Sequence, residues 1–393
     1  MKAGWQTTKL GDLCEVIAGQ SPEGKFYNAD GMGMAFYQGK KDFGEKFIEA
    51  PTTWTTQITK IAREGDILMS VRAPVGPVNF ATGEICIGRG LAAIRSKAEL
   101  NRDFLFYQLL HLQPAIAGRE GAVFASINKS EIEALPFSFA PLPEQQRIVG
   151  ILDEAFDGIA TAKANAEQNL QNARALFESH LQSVFIQRGE GWVEKPLSEL
   201  CDIKHGFAFK SEFFTSDGDY VLLTPGNFYE SGGYRDRGEK QKYYVGEIPR
   251  DYVLNEGDLL VAMTEQAAGL LGSPILVPES DRFLHNQRLG LITKKSDVPW
   301  TNEFFFHVFN TQAVRKEIHV SASGVKVRHT SPTKIGEVVV SFPTSISEQR
   351  AIVATLKDLS EETQRLESLY QRKLAALDEL KKSLLHQAFN GAL

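Results

Sequence analysis

Glu144-Gln145-Gln146-Arg147-Ile148-Val149-Gly150-Ile151-Leu152 opens a run in which apolar side chains step by three and four: Ile148, Leu152, Ala155, Ile159, Ala162, Ala166, Leu170, Ala173, Phe177, Leu181 and Val184. A narrow stripe held over about five heptads is the pattern of a coiled-coil seam; a helix lying on its own domain normally shows a broader apolar face. The opening recurs 204 residues later as Glu348-Gln349, Ile352-Val353 and Leu356. A second stripe follows through Ile352, Leu356, Leu359, Thr363, Leu366, Tyr370, Leu374, Leu377, Leu380, Leu384 and Ala388. Roughly 40 helical residues span about 60 Å. The first stripe is rich in Ala and the second in Leu and Tyr, so small side chains can face large ones without voids. The simplest pairing is antiparallel, one helix leading from a first globular unit to a second and the other running back. Pro143 and the capping-box-like Ser345-x-x-Glu348 mark the starts, and Gly189 and Asn390-Gly391 the stops.

Outside the helices the chain also repeats. Gly4-Trp5, Leu10, Leu13 and Cys14 return as Gly191-Trp192, Leu197, Leu200 and Cys201, a shift of 187. Glu64-Gly65-Asp66-Ile67-Leu68 returns as Glu256-Gly257-Asp258-Leu259-Leu260, a shift of 192. The order of landmarks is kept, and the growing shift places insertions in the second copy. Short apolar runs between Gly and Pro punctuation read as strands, with one helix per copy at Asn101–Leu112 and Thr301–Phe309. The expected organisation is α+β: a β-rich domain over 1–143, a long helix over 144–189, a second β-rich domain over 190–345 and a closing helix over 346–393 that pairs with the first. A duplicated unit with a helical spacer suits a target that is itself two-part, of which duplex DNA with two half-sites is the leading candidate.

Charge runs against a free-standing DNA binder. The chain of 393 residues carries a formal net charge of −6, whereas phosphate neutralisation normally demands a basic protein. Residues 1–143 are neutral, 144–189 carry −2, 190–345 carry −4 and 346–393 are neutral. Local patches or partner subunits must supply positive charge if nucleic acid is the ligand. Three widely spaced cysteines, Cys14, Cys86 and Cys201, are not a disulfide framework, and the first and last read as small buried core residues. The eight histidines show no metal-ligand spacing. No run reaches the ~18 apolar residues of a membrane span, and Met1 to Ala18 lacks a signal-peptide core, so the expected setting is cytoplasmic.

Catalytic motifs are weak. Gly19-Gln20-Ser21-Pro22-Glu23-Gly24-Lys25 fits part of a phosphate loop, but Phe26 stands where Ser or Thr would bind magnesium, and the reading is an exposed Gly-rich turn. Asp12 with Glu23-Gly24-Lys25 makes only a chance nuclease-like pattern. The sequence holds no Pro-Pro pair, hence no Asn/Asp-Pro-Pro-aromatic motif for an extruded base, and no Gly-rich cofactor loop.

Polar and aromatic clusters are the better candidates, because Arg, Lys, Gln and Asn read base edges and hold phosphates. In the first copy they are Lys25, Tyr27, Gln38, Lys40, Lys41, Arg72, Arg89, Asn128 and Lys129. In the second they are Lys210, Asn227, Tyr234, Arg235, Arg237, Lys240, Lys242, Gln287, Arg288, Lys326 and Arg328.

With these features assembled, the chain resembles, over essentially its full length, the specificity (S) subunit of type I restriction–modification systems. The resemblance rests on the paired Gly-Trp…Leu-x-x-Leu-Cys openings, the paired Glu-Gly-Asp-Ile/Leu-Leu strands, and Pro141-Leu142-Pro143-Glu144-Gln145-Gln146-Arg147-Ile148-Val149. The counterpart at Ile346-Ser347-Glu348-Gln349-Arg350 departs from that pattern in lacking its prolines. The resemblance implies two target recognition domains related by a pseudo-two-fold, each reading half of a bipartite asymmetric DNA sequence. It implies that the helix pair sets the gap and docks two methyltransferase (M) subunits that carry S-adenosylmethionine and methylate adenine N6. Restriction (R) subunits using ATP and magnesium would join them. No cofactor and no catalytic residue is expected on this chain. Two rival readings remain: a stand-alone DNA-binding regulator, which should bind DNA tightly alone, and a two-headed protein scaffold, which should show no sequence-dependent DNA binding.

Overall fold

The computed structural model describes residues 4–117, 126–265, 269–390 and 392–393; the expected stop at Gly391 lies outside them. The chain divides into two compact units, Met1–Gln168 with Tyr370–Leu393, and Asn169–Leu369. Each is an α+β unit built to the same plan, and each takes in part of both long helices, Leu142–Gln187 and Ile346–Asn390.

In the first unit, Gln6–Lys9 pairs antiparallel with Pro136–Phe139 and ties the start of the domain to the segment that enters the long helix. A one-turn helix, Leu10–Leu13, buries both of its leucines. The chain then joins an antiparallel sheet ordered Cys14–Ala18, Leu91–Ser96, Ile67–Ser70, Val78–Phe80. A second sheet, ordered Tyr27–Asn28, Trp54–Thr55, Met34–Tyr37, Ile85–Ile87, Ile61–Ala62, contains one parallel pairing, Met34–Tyr37 with Ile85–Ile87. Helix Arg102–Ala117 runs five residues beyond the expected Leu112 and buries Phe104, Leu105, Phe106, Tyr107 and Leu109. Those side chains share one core with Ile67, Met69, Phe137, Ile148 and Leu152, and with Leu385 and Phe389 of the second long helix.

The second unit repeats this order. Trp192–Pro196 pairs with Val339–Pro343, and Cys201–His205, Leu289–Lys294, Leu259–Ala262 and Pro274–Leu276 form the antiparallel sheet. The smaller sheet is ordered Phe214–Thr215, Tyr243–Tyr244, Tyr220–Leu222, Phe283–Leu284, its last pairing parallel. Helix Asn302–Asn310 packs Phe304, Phe305 and Phe309 into a core that also takes Phe342 and, partly buried, Phe185, Ile352 and Val353 from the long helices.

The Glu-Gly-Asp repeat explains itself here. Gly65 and Gly257 take φ of 83° and 79° in the turn before a core strand, a conformation that favours glycine. The aspartate then accepts a backbone N–H at 2.8 Å, Asp66 from Arg63 and Asp258 from Asn255. Cys14 and Cys201 are buried core residues as expected, and burial pushes their thiols up to about 12.

Within the first unit the long helices are joined by Lys163–Asp378 at 2.6 Å and by the Arg147 guanidinium donating to the Leu393 carbonyl at 3.1 Å, an antiparallel pairing. Within the second, Arg174 and Glu367 join the same helices at 3.1 Å. Of the expected seam, Ile148, Leu152, Ile159, Leu181 and Leu356 are buried, while Leu170, Phe177, Ile352, Leu366, Tyr370, Leu374, Leu377 and Leu384 are half-buried. Leu380 is 45% exposed, and Leu385 takes the inward place beside Leu384. A straight helix of 3.6 residues per turn drifts from a strict heptad, and the helix end follows the domain core. Ala166, Ala173 and Thr363 are buried along the middle stretches, as close helix packing requires.

Two terminus signals differ from expectation. The first helix stops at Gln187, and Arg188, not Gly189, takes the left-handed position, with φ of 34°. Ser345 Oγ accepts the Glu348 N–H at 3.3 Å, but the Glu348 carboxylate accepts from the Trp192 indole at 2.9 Å in place of closing the box.

Candidate nucleic-acid interface

In each unit a group of loops converges at one end of the two sheets, locked by backbone hydrogen bonds. In the first, Gly19 N–H donates to Leu91 O and Gln20 N–H to Ile87 O, both at 2.9 Å. Gly88 N–H donates to Tyr37 O at 2.8 Å, Val71 N–H to Gly90 O at 3.0 Å and Ile127 N–H to Val71 O at 2.9 Å. A Cβ on Gly19 would lie 2.2 Å from Gly88 O, so only glycine admits the approach. This brings together the loops that carry Gln38, Arg72 and Arg89, all exposed. Ser21 Oγ accepts the Arg89 N–H at 3.2 Å.

The second unit has the same lock. Phe207 N–H donates to His285 O at 2.9 Å, Met263 N–H to Arg288 O at 2.9 Å and Thr330 N–H to Met263 O at 3.0 Å. A Cβ on Gly206 would lie 2.1 Å from Asn286 O. The loop tip carries Gln287 and Arg288, both exposed. Gly19 and Gly206 stand at the repeat shift of 187, a signal that marks the place of the lock in each copy, though not its hydrogen bonds.

The other candidates divide. Lys40 and Lys41 are exposed on the turn Lys40–Asp42, after Gln38. Lys25 instead pairs with Glu23 at 2.7 Å, on a single 3-10 turn, Gly24–Phe26, that continues into strand and not into a phosphate-binding helix. Tyr27 stacks on Phe36 and donates its hydroxyl to Pro22 O at 2.9 Å. In the second unit Arg235 lies 5.8 Å over the Tyr229 ring and Lys242 5.6 Å over Phe214, cations held on aromatic faces yet open to solvent. Lys240, Lys210 and Lys326 are exposed, Lys210 within 4.0 Å of Glu212. Arg237 is half-buried against Gly226, and Tyr234 is half-buried with its ring against Phe283.

Two expectations, Asn227 and Arg328, are corrected. Asn227 is buried: its Oδ1 accepts from Thr224 N–H at 3.0 Å and its amide donates to Gln241 Oε1 at 2.9 Å, so it shapes a turn and has no face for DNA. Asn128 is exposed, and its Oδ1 also caps the short helix Lys129–Glu133, accepting from Glu131 N–H at 3.0 Å, as Ser331 caps Pro332–Gly336 in the second unit. Lys129, 3.5 Å from Glu133, is exposed beside it on the first turn. Arg328 turns inward, 3.7 Å from Glu265 and 3.2 Å from His319 Nδ1. Sequence reading missed Glu265 altogether. Its side chain is 2% exposed and accepts N–H bonds from Gly269, Leu270 and Leu271 at 3.0, 3.1 and 3.0 Å.

Among the described residues no cluster of His, Cys, Asp or Glu could hold a metal, and no helix is long and apolar enough to cross a membrane. Asp12 accepts from Thr8 Oγ1 and, at 3.2 Å, from Lys9 N–H, so it is committed to a local cap.

The family model described as the type I restriction modification DNA specificity domain matches residues 2–172 and again 189–374. A putative type I restriction enzyme MjaX specificity subunit from Methanocaldococcus jannaschii is 38% identical over 174 residues, 43% of this chain and 40% of that one. The type I restriction enzyme EcoBI specificity subunit of Escherichia coli is 25% identical over 236 residues, 60% of this chain and 44% of that one. The chain thus spans about half or less of the curated relatives it matches. Among solved structures, a chain from work on complex assembly and conformational transition of the type I R-M system has a TM-score of 0.78 at 18% identity, covering 100% of this chain and 99% of that one. The HsdS subunit from Thermoanaerobacter tengcongensis has a TM-score of 0.64 at 17% identity, covering 100% and 98%. At these identities the structural likeness speaks for the fold.

Proposed function

We propose that this chain, which belongs to the type I restriction modification DNA specificity domain family, is the sequence-reading subunit of a restriction–modification complex. Each compact unit reads one half of a bipartite target in double-stranded DNA. The observation that carries this reading is the repeated loop lock: the same backbone scaffold, built twice, presents different exposed polar residues, Gln38, Arg72 and Arg89 in one unit and Gln287 and Arg288 in the other. A rigid scaffold with variable polar tips is what base reading requires, since a loose tip would lose orientation at the base edge.

The long helices set the length of the unread gap and offer docking surface to two methyltransferase subunits, which bring S-adenosylmethionine and transfer its methyl group to adenine N6. Restriction subunits, with ATP and magnesium, add translocation and cleavage. This chain contributes recognition and no catalytic group, and acts in the cytoplasm, where the DNA is. The net charge of −6 supports shared binding: phosphate contacts from the methyltransferase subunits supply the affinity that a neutral-to-acidic reader lacks.

The test is to assemble the chain with its methyltransferase subunit and map N6-methyladenine on plasmid DNA. A two-to-one complex methylating one split, asymmetric sequence supports the reading. Tight, steeply salt-dependent DNA binding by the chain alone, with no methylation in the mixture, supports the stand-alone regulator and overturns it.

A further inference from the structure

The two loop locks put Arg89 and Gln287 in equivalent positions. Gln20 N–H meets Ile87 O in one unit, and Phe207 N–H meets His285 O in the other; two residues on from each carbonyl stand Arg89 and Gln287. The N–H of each is held by the opposite loop, Arg89 by Ser21 Oγ at 3.2 Å and Gln287 by Phe207 O at 3.0 Å. Both residues are exposed, and among the described residues neither side chain has an intramolecular hydrogen bond or ion pair.

Arginine and glutamine do not share a charge. They share a planar head that forms two parallel hydrogen bonds. A phosphate accepts from either head and does not distinguish them, whereas a base-edge contact uses a bidentate head whose donor and acceptor pattern differs with the base. Arg donates twice, matching guanine O6 and N7; Gln donates once and accepts once, matching adenine N7 and N6.

Resting on the proposed function, we infer that Arg89 and Gln287 are equivalent specificity-determining residues, Arg89 reading a guanine in one half-site and Gln287 an adenine in the other. The glycines that close the locks, Gly19 and Gly206, hold these tips in place.

The experiment selects DNA from a random library with the assembled methyltransferase complex, using wild type, R89Q and Q287R. Wild type should give a split sequence. R89Q should change one position of one half, with guanine losing roughly 5- to 150-fold of its preference to adenine or to no preference, the range of one bidentate base contact. Q287R should shift one position of the other half from adenine toward guanine. Unchanged preferences in both variants overturn the inference. So does a uniform loss of binding across all sequences with assembly intact, the signature of a phosphate contact. A wild-type complex that selects no split sequence is a different failure, that of the proposed function, and takes the inference with it.

Discussion

Gln145 Oε1 accepts the backbone N–H of Asn101 at 2.7 Å, while its amide donates to the carbonyls of Ala140 at 2.7 Å and Glu99 at 3.1 Å. Gln349 does the same in the second unit: it accepts from Thr301 N–H at 3.0 Å and donates to Pro299 O at 2.8 Å and Pro343 O at 3.0 Å. Both glutamines are fully buried. The Glu-Gln repeat that opens each long helix is therefore a hydrogen-bonded clasp, fixing the helix start to the chain that enters the domain helix.

Replacing Gln145 with Leu keeps most of the volume and orphans one N–H and two carbonyls. At about 1–3 kcal/mol for a buried group left unsatisfied, offset in part by local relaxation, Q145L should destabilise the first unit by about 2–4 kcal/mol. Chemical denaturation followed by tryptophan fluorescence measures this; a loss within experimental error would show that the clasp is replaceable by packing.

His307 is held neutral, its pKa pushed down to about 4 by burial. A base whose folded pKa lies below its unfolded value of about 6.5 lends stability that is complete above pH 6.5 and is lost as pH falls toward 4. The full shift corresponds to about 3 kcal/mol. His285, also pushed down to about 4 by burial, adds to the same window. H307F, placed between the rings of Phe177 and Phe306, should flatten the fall in stability between pH 6.5 and 4 without lowering it at pH 8. An unchanged pH slope would contradict the assignment.

Arg328 partners a buried carboxylate. Its removal leaves Glu265 with three N–H donors and with the His319 ring 3.6 Å away, an imidazole whose pKa burial pushes down. R328M should cost about 1–3 kcal/mol, below the full cost of breaking a buried pair because Arg328 is itself partly exposed. The target sequence of the complex should stay the same. A changed half-site with unchanged stability would return Arg328 to the DNA surface.

These three cases also show where sequence reading ends. The repeat register, the strand-rich units and the two long helices were legible because periodicity and order are local properties. The Gln145 clasp, the Asn227 turn and the Arg328 ion pair were not, because a polar side chain's partner is set by tertiary packing. Arg89 and Arg328 look alike in sequence; one stands on a locked loop tip and the other answers a buried glutamate 63 residues upstream. Residue type alone places Asn128 and Asn227 among the DNA-contact candidates; Asn227 is buried in a turn, while Asn128 caps the helix beside it and stays exposed.

If the helices set the gap, inserting seven helical residues after Gln168 and seven before Tyr370 lengthens both by about 10 Å. The methylated sequence should keep both halves and gain about three base pairs between them, at ~3.4 Å per pair. An unchanged gap in an assembled, active complex would refute the ruler.

The central claim is that each unit reads its own half. The most direct measurement replaces residues 20–130 with the corresponding segment of another family member and maps N6-methyladenine made by the assembled complex. The account predicts that one half of the target changes while the other half and the gap stay as in wild type. A map in which both halves change, or neither does, would contradict it.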